Sequence, residues 1–247
     1  MKILCMLPAA EGVYPKEAEE RRMTLMRSYS NAATQVDAAY MPDVSGFVPW
    51  GGGEQRGGEA GGWGGDASAR AAEFSAQLAA RAEQDGYDAF CPFGGLDIGV
   101  KEARARVKIP VVGQTEACYL FCGLLGQKFA NVVYMPGAEA PRHREAEAAG
   151  VGDQLVGVFA IGIPNSEYPQ RRGDLLREFV RCANEAKAAG AALIGRVAMS
   201  ICPTEYSAKE LTEASGMPVL DALACQIAMA EWWHRTQLPT SLLRLPR

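Results

Sequence analysis

Residues 86–117 read GYDAFCPFGGLDIGVKEARARVKIPVVGQTEA. A short apolar run, Ala89–Phe93, meets a glycine turn at Phe93-Gly94-Gly95. A segment of helical period follows and ends in a second apolar run, Ile109–Gly113. Strand, turn, helix, strand is the order of a βαβ unit, whose strands are parallel. It places the Gly94-Gly95 turn at the C-terminal end of a buried strand, where open α/β sheets bind their ligands.

The same alternation extends in both directions. Strand-like runs recur at Lys2–Leu7, Gln35–Tyr40, Ala130–Tyr134, Leu155–Ile161, Ala192–Val197 and Pro218–Leu220. Segments of helical period lie between them, at Lys16–Asn31, Ala67–Gln84, Asp97–Val107, Glu116–Leu125, Ala138–Ala149, Gln170–Ala189, Ser207–Ala214 and Asp221–Trp233. This predicts an α/β fold with parallel sheets flanked by helices. The chain also echoes itself. Tyr87-Asp88-Ala89-Phe90, a helix and Ile109-Pro110-Val111-Val112 are answered by Ala191-Ala192-Leu193-Ile194, a helix and Met217-Pro218-Val219-Leu220. Two related halves predict two similar lobes with the active site in the cleft between them.

Composition narrows the function classes. At 247 residues and 48% hydrophobic, the chain can bury a full core. A net charge of −4 argues against a nucleic-acid partner, which needs a basic stripe. The absence of an 18-residue apolar run argues against a membrane span. The chain opens on the strand-like Lys2–Leu7 with no signal-peptide pattern, and its seven cysteines form no C-x-x-C pair. Both features predict a cytoplasmic protein with free thiols. The outlier is Gly46–Asp66, with nine glycines between Gly51 and Asp66. Glycine loses much backbone entropy on ordering, so this predicts a mobile surface loop, either an insertion or a lid anchored by Trp50 and Trp63. It contains no G-x-x-x-x-G-K-[ST] phosphate loop.

Residues 86–117 closely resemble the equivalent stretch of the aspartate/glutamate/hydantoin racemase superfamily. There the pattern is D-A-x-x-x-x-C-F-x-D-x-G-x-x-E-A-R followed by I-P-V-V-G-x-x-E-A. Asp88, Asp97, Gly99, Glu102, Arg104, the Ile109–Gly113 run and Glu116 fall in register without a gap. The family's first catalytic cysteine stands at Gly94. Family racemases use two thiols on opposite faces of a carbon acid, and the second position falls near Ala198 in Arg196–Ser200. The segment beyond it is longer than usual, so Ser200 or Cys202 also come into range. Cys202-Pro203-Thr204-Glu205 approximates the family's G-C-T-E.

The resemblance implies a first lobe of residues 1–113 plus 219–247 and a second of residues 114–218. It implies an isomerase, lyase or hydrolase that needs no cofactor or metal and acts on a small anionic or heterocyclic molecule. A homo-oligomer is expected. With glycine at the first thiol position, one-sided chemistry is more consistent than two-base racemisation. The alternatives are a hydantoin or amino-acid racemase proper and a non-catalytic protein that binds a small anion.

Individual residues carry two readings each. Gly94 and Gly95 precede a helix, whose free N–H groups and positive dipole end suit a carboxylate or oxyanion; a tight turn is the simpler reading. Asp97 is either a general base or the N-cap of the helix to Val107. Glu116, beside Thr115, opens the next helix, and the family pattern places it near the pocket. Cys202 is the candidate nucleophile or acid/base, activated by a nearby helix N-terminus, with Ser200 as the substitute. Thr204 is a donor for a substrate carboxylate, and Thr115 and Glu205 complete the implied binding set. Cys118 and Cys122, one turn apart among apolar neighbours, read as core rather than metal ligands. His143 and His234 lack a Ser/Asp constellation, which argues against a serine-type triad.

Overall fold

The computed structural model describes residues 1–7, 16–41, 66–92, 94, 97–137 and 139–243. The glycine-rich segment from Gly51 to Gly65, together with Trp50, lies outside them. Among the described residues, 1–41, 66–117 and 223–243 form one compact unit and 118–222 form a second.

In the first unit, β1 (Lys2–Leu7) is central, with β2 (Gln35–Tyr40) and β3 (Ala89–Pro92) parallel to it on either side. β1 is buried from Ile3 to Leu7, as a strand covered on both faces must be. On one face Leu4, Met6 and Phe90 pack with Ala76 and Ala79 of α2 (Asp66–Gln84) and with Val100 and Ala103 of α3 (Val100–Arg104). Helix α1 (Lys16–Tyr29) joins β1 to β2. The late helix α8 (Ala222–Thr236) returns to this unit. There Gln226 Nε2 donates to the carbonyls of Pro92 (2.9 Å) and Val112 (2.7 Å).

The second unit repeats the plan. β4 (Phe129–Val133) is central between β5 (Leu155–Ala160) and β6 (Leu193–Val197), again all parallel. On one face Ala130, Val132 and Ile194 meet α6 (Arg172–Ala188). That helix presents Leu175, Phe179, Cys182, Ala183 and Ala186, a one-sided stripe at helical spacing. Leu211 of α7 (Ala208–Ser215) joins the same core. On the other face Phe129 and Leu193 pack with Tyr119 and Cys122 of α4 (Gln114–Leu125) and Ala146 of α5 (Glu139–Ala148). A β-bulge between Ala130 and Asn131 leaves Gly195 as the extra residue of β6, and the Cys118 thiol donates to its carbonyl. Cys118 and Cys122 are both fully buried, as core residues.

The sequence echo has a hydrogen-bonded counterpart. Phe90 N–H donates to Pro110 O (2.8 Å) and Val112 N–H to Phe90 O (3.0 Å). In the second unit Ile194 N–H donates to Pro218 O (2.8 Å) and Leu220 N–H to Ile194 O (2.9 Å). The strands expected at Ile109–Gly113 and Pro218–Leu220 are each reduced to one bridge, Val111 to Phe90 and Val219 to Ile194. Proline has no N–H to donate, so Pro110 and Pro218 serve these ladders only as acceptors. In both units the chain leaves the central strand to one side and returns on the other. Open sheets of this order take ligands at the carboxyl ends where the direction switches, here β1/β3 and β4/β6.

Candidate active site

At the β1/β3 end of the first unit, Gly94 has φ +145°, a conformation side chains rarely adopt. Its partner Gly95 lies outside the described residues. The chain turns back through a hydrogen bond from Asp97 N–H to Gly94 O (3.2 Å). Asp97 itself sits at φ +50°, which aspartate tolerates better than most residues.

The Asp97 carboxylate does not cap its own helix. α3 starts late, after Gly99, with no side-chain cap. Asp97 instead accepts from the backbone N–H groups of Thr115 and Glu116, both at 2.9 Å, in the first turn of α4. The residue preceding α4 is Gly113, and a Cβ built there would stand 2.5 Å from Asp97 Cγ. A glycine at this cap position therefore makes room for a carboxylate supplied from elsewhere in the chain.

Glu116 closes the other half of the same cap. Its Oε1 accepts from Gly113 N–H at 3.0 Å, the reach-back of a capping box. Its carboxylate is also gripped bidentately by Arg104, through Nη1 to Oε2 at 2.9 Å and Nη2 to Oε1. The two side chains are 10% and 7% exposed, so this is a buried pair. Arg104 Nε and Nη2 donate further to Val111 O at 2.9 and 2.7 Å. The E-A-R and G-x-x-E-A segments are thus held together by one ion pair. Asp97 and Glu116 both spend acceptor capacity on the start of α4, and Thr115 contributes its backbone N–H to that cap.

At the β4/β6 end of the second unit, residues 198–206 wind into a turn directly after β6. Ala198 N–H donates to Val132 O (2.8 Å), and Ile201 and Cys202 N–H both donate to Ala198 O (2.8 and 3.0 Å). Thr204 Oγ1 donates to Met199 O at 2.7 Å, so its hydroxyl proton closes the loop on itself. Cys202 is 5% exposed, packed with Ala198, Ile201, Tyr168 and Tyr206, and Ser200 is half-buried. Arg172 clamps the loop's exit. Its Nη2 donates to Glu205 O (2.6 Å), and its guanidinium lies 4.3 Å over the Tyr206 ring. Tyr206 Oη in turn donates to Arg172 O (2.7 Å). The half-buried Glu205 places its carboxylate 3.9 Å from Arg172 Nε.

The helix end nearest in sequence to Cys202 is the start of α7. It is closed by its own capping box, with Glu210 N–H donating to Ser207 Oγ (3.2 Å) and Ser207 N–H to Glu210 Oε2 (2.7 Å). Sequence reasoning passed over Gly113, Gln114 and Arg172. Gly113 had a readable signal in Gly-x-x-Glu before an apolar run. Arg172, whose partners lie more than thirty residues away, had none.

The model of the Asp/Glu/Hydantoin racemase family matches residues 58–230, and the chain belongs to that family. It is 26% identical over 154 residues to hydantoin racemase of Pseudomonas sp. (strain NS671), across 61% of this chain and 60% of that protein. The chain thus spans about 60% of the length of that curated relative. Allantoin racemase from Klebsiella pneumoniae shares the fold with a TM-score of 0.74 at 19% identity, over 97% of this chain and 89% of that one. A mutant of arylmalonate decarboxylase in its liganded form aligns with a TM-score of 0.59 at 14% identity, over 94% and 92%. Among the described residues no helix is long and apolar enough to cross a membrane.

Proposed function

We propose that this member of the Asp/Glu/hydantoin racemase family is a cofactor-independent enzyme acting on a small carboxylated or hydantoin-like molecule by one-sided acid/base or nucleophilic chemistry. The reaction class is a lyase, a hydrolase or a single-base isomerase. One observation carries the reading. Gly94 stands in register with the family's first thiol, and its φ of +145° belongs to glycine. The position therefore supplies no proton donor or acceptor from a side chain. A glycine there carries no side chain to hold the substrate's anionic group away from the backbone.

The chemistry follows from having one group rather than two. Breaking a bond at a carbon next to a carbonyl leaves an enolate, whose charge must be met by fixed donors. A single acid then returns the proton to one face. Cys202 is assigned this acid/base or nucleophilic role, with Ser200 as its substitute. The product is one enantiomer, whereas two-base racemisation needs a second group opposite the first. A racemase proper is the second reading, favoured by the hydantoin racemase relative.

The test is turnover in D2O of enantiopure 5-substituted hydantoins, thiohydantoins, malonates and maleate, followed by mass spectrometry, polarimetry and chiral chromatography. Loss of carbon dioxide, addition of water, or a single deuterated enantiomer is expected. Conversion of an enantiopure hydantoin to a racemate overturns the one-sided reading in favour of the racemase. Saturable binding without turnover of any of these compounds favours the anion-binding protein.

A further inference from the structure

Gln114 is the first residue of α4 and follows Gly113 at the carboxyl end of the short Ile109–Gly113 run. Val111 pairs with Phe90, so Gly113 comes level with Pro92, and Gln114 lies at the same end of the sheet as Gly94. Gln226, bonded to both Pro92 O and Val112 O, fixes the two segments to each other. Gln114 is 1% exposed, yet among the described residues neither its Oε1 nor its Nε2 meets a hydrogen-bond partner.

A buried carboxamide with both ends unmatched is costly, because water has been stripped from a donor and an acceptor with nothing in return. Its surroundings make the cost conspicuous. The N–H groups of Gly113, Thr115 and Glu116 and the carboxylates of Asp97 and Glu116 have all found partners within this unit. These three N–H groups are therefore already satisfied, while both polar ends of the Gln114 side chain are left waiting, as is Oε1 of the neighbouring Gln226.

A carboxamide presents an acceptor beside a donor. Its complement is an edge with an N–H beside a C=O, which it meets with two parallel hydrogen bonds. A carboxylate offers only acceptors and leaves Oε1 facing negative charge. We infer that Gln114 is a substrate-reading residue that pairs with the cis-amide edge of a cyclic amide or ureide and selects such rings over open-chain dicarboxylates. This deepens the proposed function and rests on its placing the substrate at the Gly94 end of the sheet.

Gln114→Met keeps the side chain's length and removes both polar groups. Without ligand, the variant is expected to melt a few degrees higher than the parent, since an unmatched buried amide has gone. With 5-methylhydantoin as substrate its kcat/KM falls at least about tenfold, the scale of one lost hydrogen bond, mostly through KM. Turnover of phenylmalonate, which has no amide edge, changes less than about twofold by the same reasoning. If the parent turns over neither compound, the proposed function fails on its own. The inference is then read by binding: 5-methylhydantoin raises the melting temperature of the parent and not of Gln114→Met. Gln114→Leu, which carries no hydrogen-bonding group, loses the hydantoin response in the same way and serves if the methionine variant does not fold. A methionine variant that melts lower than the parent shows an amide used by the fold and overturns the inference. So does either variant with an unchanged hydantoin response, which leaves the amide holding a buried water only.

Discussion

Replacing Asp97 separates structural capping from catalysis. Its carboxylate accepts two backbone N–H groups at the head of α4, each at 2.9 Å. Hydrogen bonds to a charged group contribute about 1.5–3 kcal/mol each, and a lost helix cap costs about 0.5–2 kcal/mol. The low end of the first range, taken for two bonds, gives about 3 kcal/mol for Asp97→Ala, a large share of a typical stability of about 5–15 kcal/mol. Alanine also inherits φ +50°. Glycine at that conformation is strain-free, so Asp97→Gly is expected to be milder by about 1 kcal/mol. Asparagine keeps one acceptor and tolerates the backbone, so Asp97→Asn is expected to cost least, about 1.5 kcal/mol. Urea unfolding gives all three values. Activity supplies the second axis: a capping role leaves Asp97→Asn within a few-fold of the parent, whereas a lost general base costs at least about 100-fold. Asp97→Ala within about 0.5 kcal/mol of the parent, the range of an ordinary surface change, would refute the cap.

Gly113→Ala puts a methyl 2.5 Å from Asp97 Cγ and must push the carboxylate off the helix. Its cost and that of Asp97→Ala should therefore be strongly non-additive in a double-mutant cycle by urea unfolding. Tyr119 of α4 is buried, its hydroxyl accepts from Asn131 Nδ2 (2.9 Å), and burial pushes its pKa up to about 12. From about pH 10 upward the unfolded phenol ionises while the folded one does not, so stability falls as pH rises; Tyr119→Phe should remove about 2–3 kcal/mol of that fall in alkaline unfolding curves. Cys202→Ser is expected to cut turnover at least about 100-fold if the thiol is the acid/base group. Full activity in Cys202→Ser with loss in Ser200→Ala would move the role to the serine, and full activity in both would remove it from this loop.

The β-strands were legible because each central strand is buried on both faces and reads as an apolar run between helical segments, as in Ile3–Leu7. The echo between the halves was legible too, and the paired hydrogen bonds of Phe90 and Ile194 give it a physical form. Helix α3 was over-read at both ends. The segment Asp97–Val107 carries helix-favouring residues throughout, but positive φ at Asp97 and Gly99 delays the start to Val100. Asp97 looked like a local cap because asparaginic caps are usually local. Its real partners lie eighteen and nineteen residues downstream. The Arg104–Glu116 pair is of the same kind, two charged residues whose meeting depends on tertiary structure rather than spacing. Gln114 left no trace in the sequence, since a glutamine at a helix start looks ordinary until its burial is known.

Helix α8 belongs to the unit whose sheet is built from the first part of the chain, while among the described residues the second unit is the continuous stretch 118–222. On the ribosome the order of completion is therefore inverted. The middle of the chain can close its core as soon as it has emerged. The earlier strands must wait for a helix made after it, because Gln226 is what satisfies the carbonyls of Pro92 and Val112 at the end of the older sheet. Chains halted before Leu223 would carry a finished second half and an open first one. Helix α8, synthesised after the strands of both sheets, is thus the latch on the first sheet.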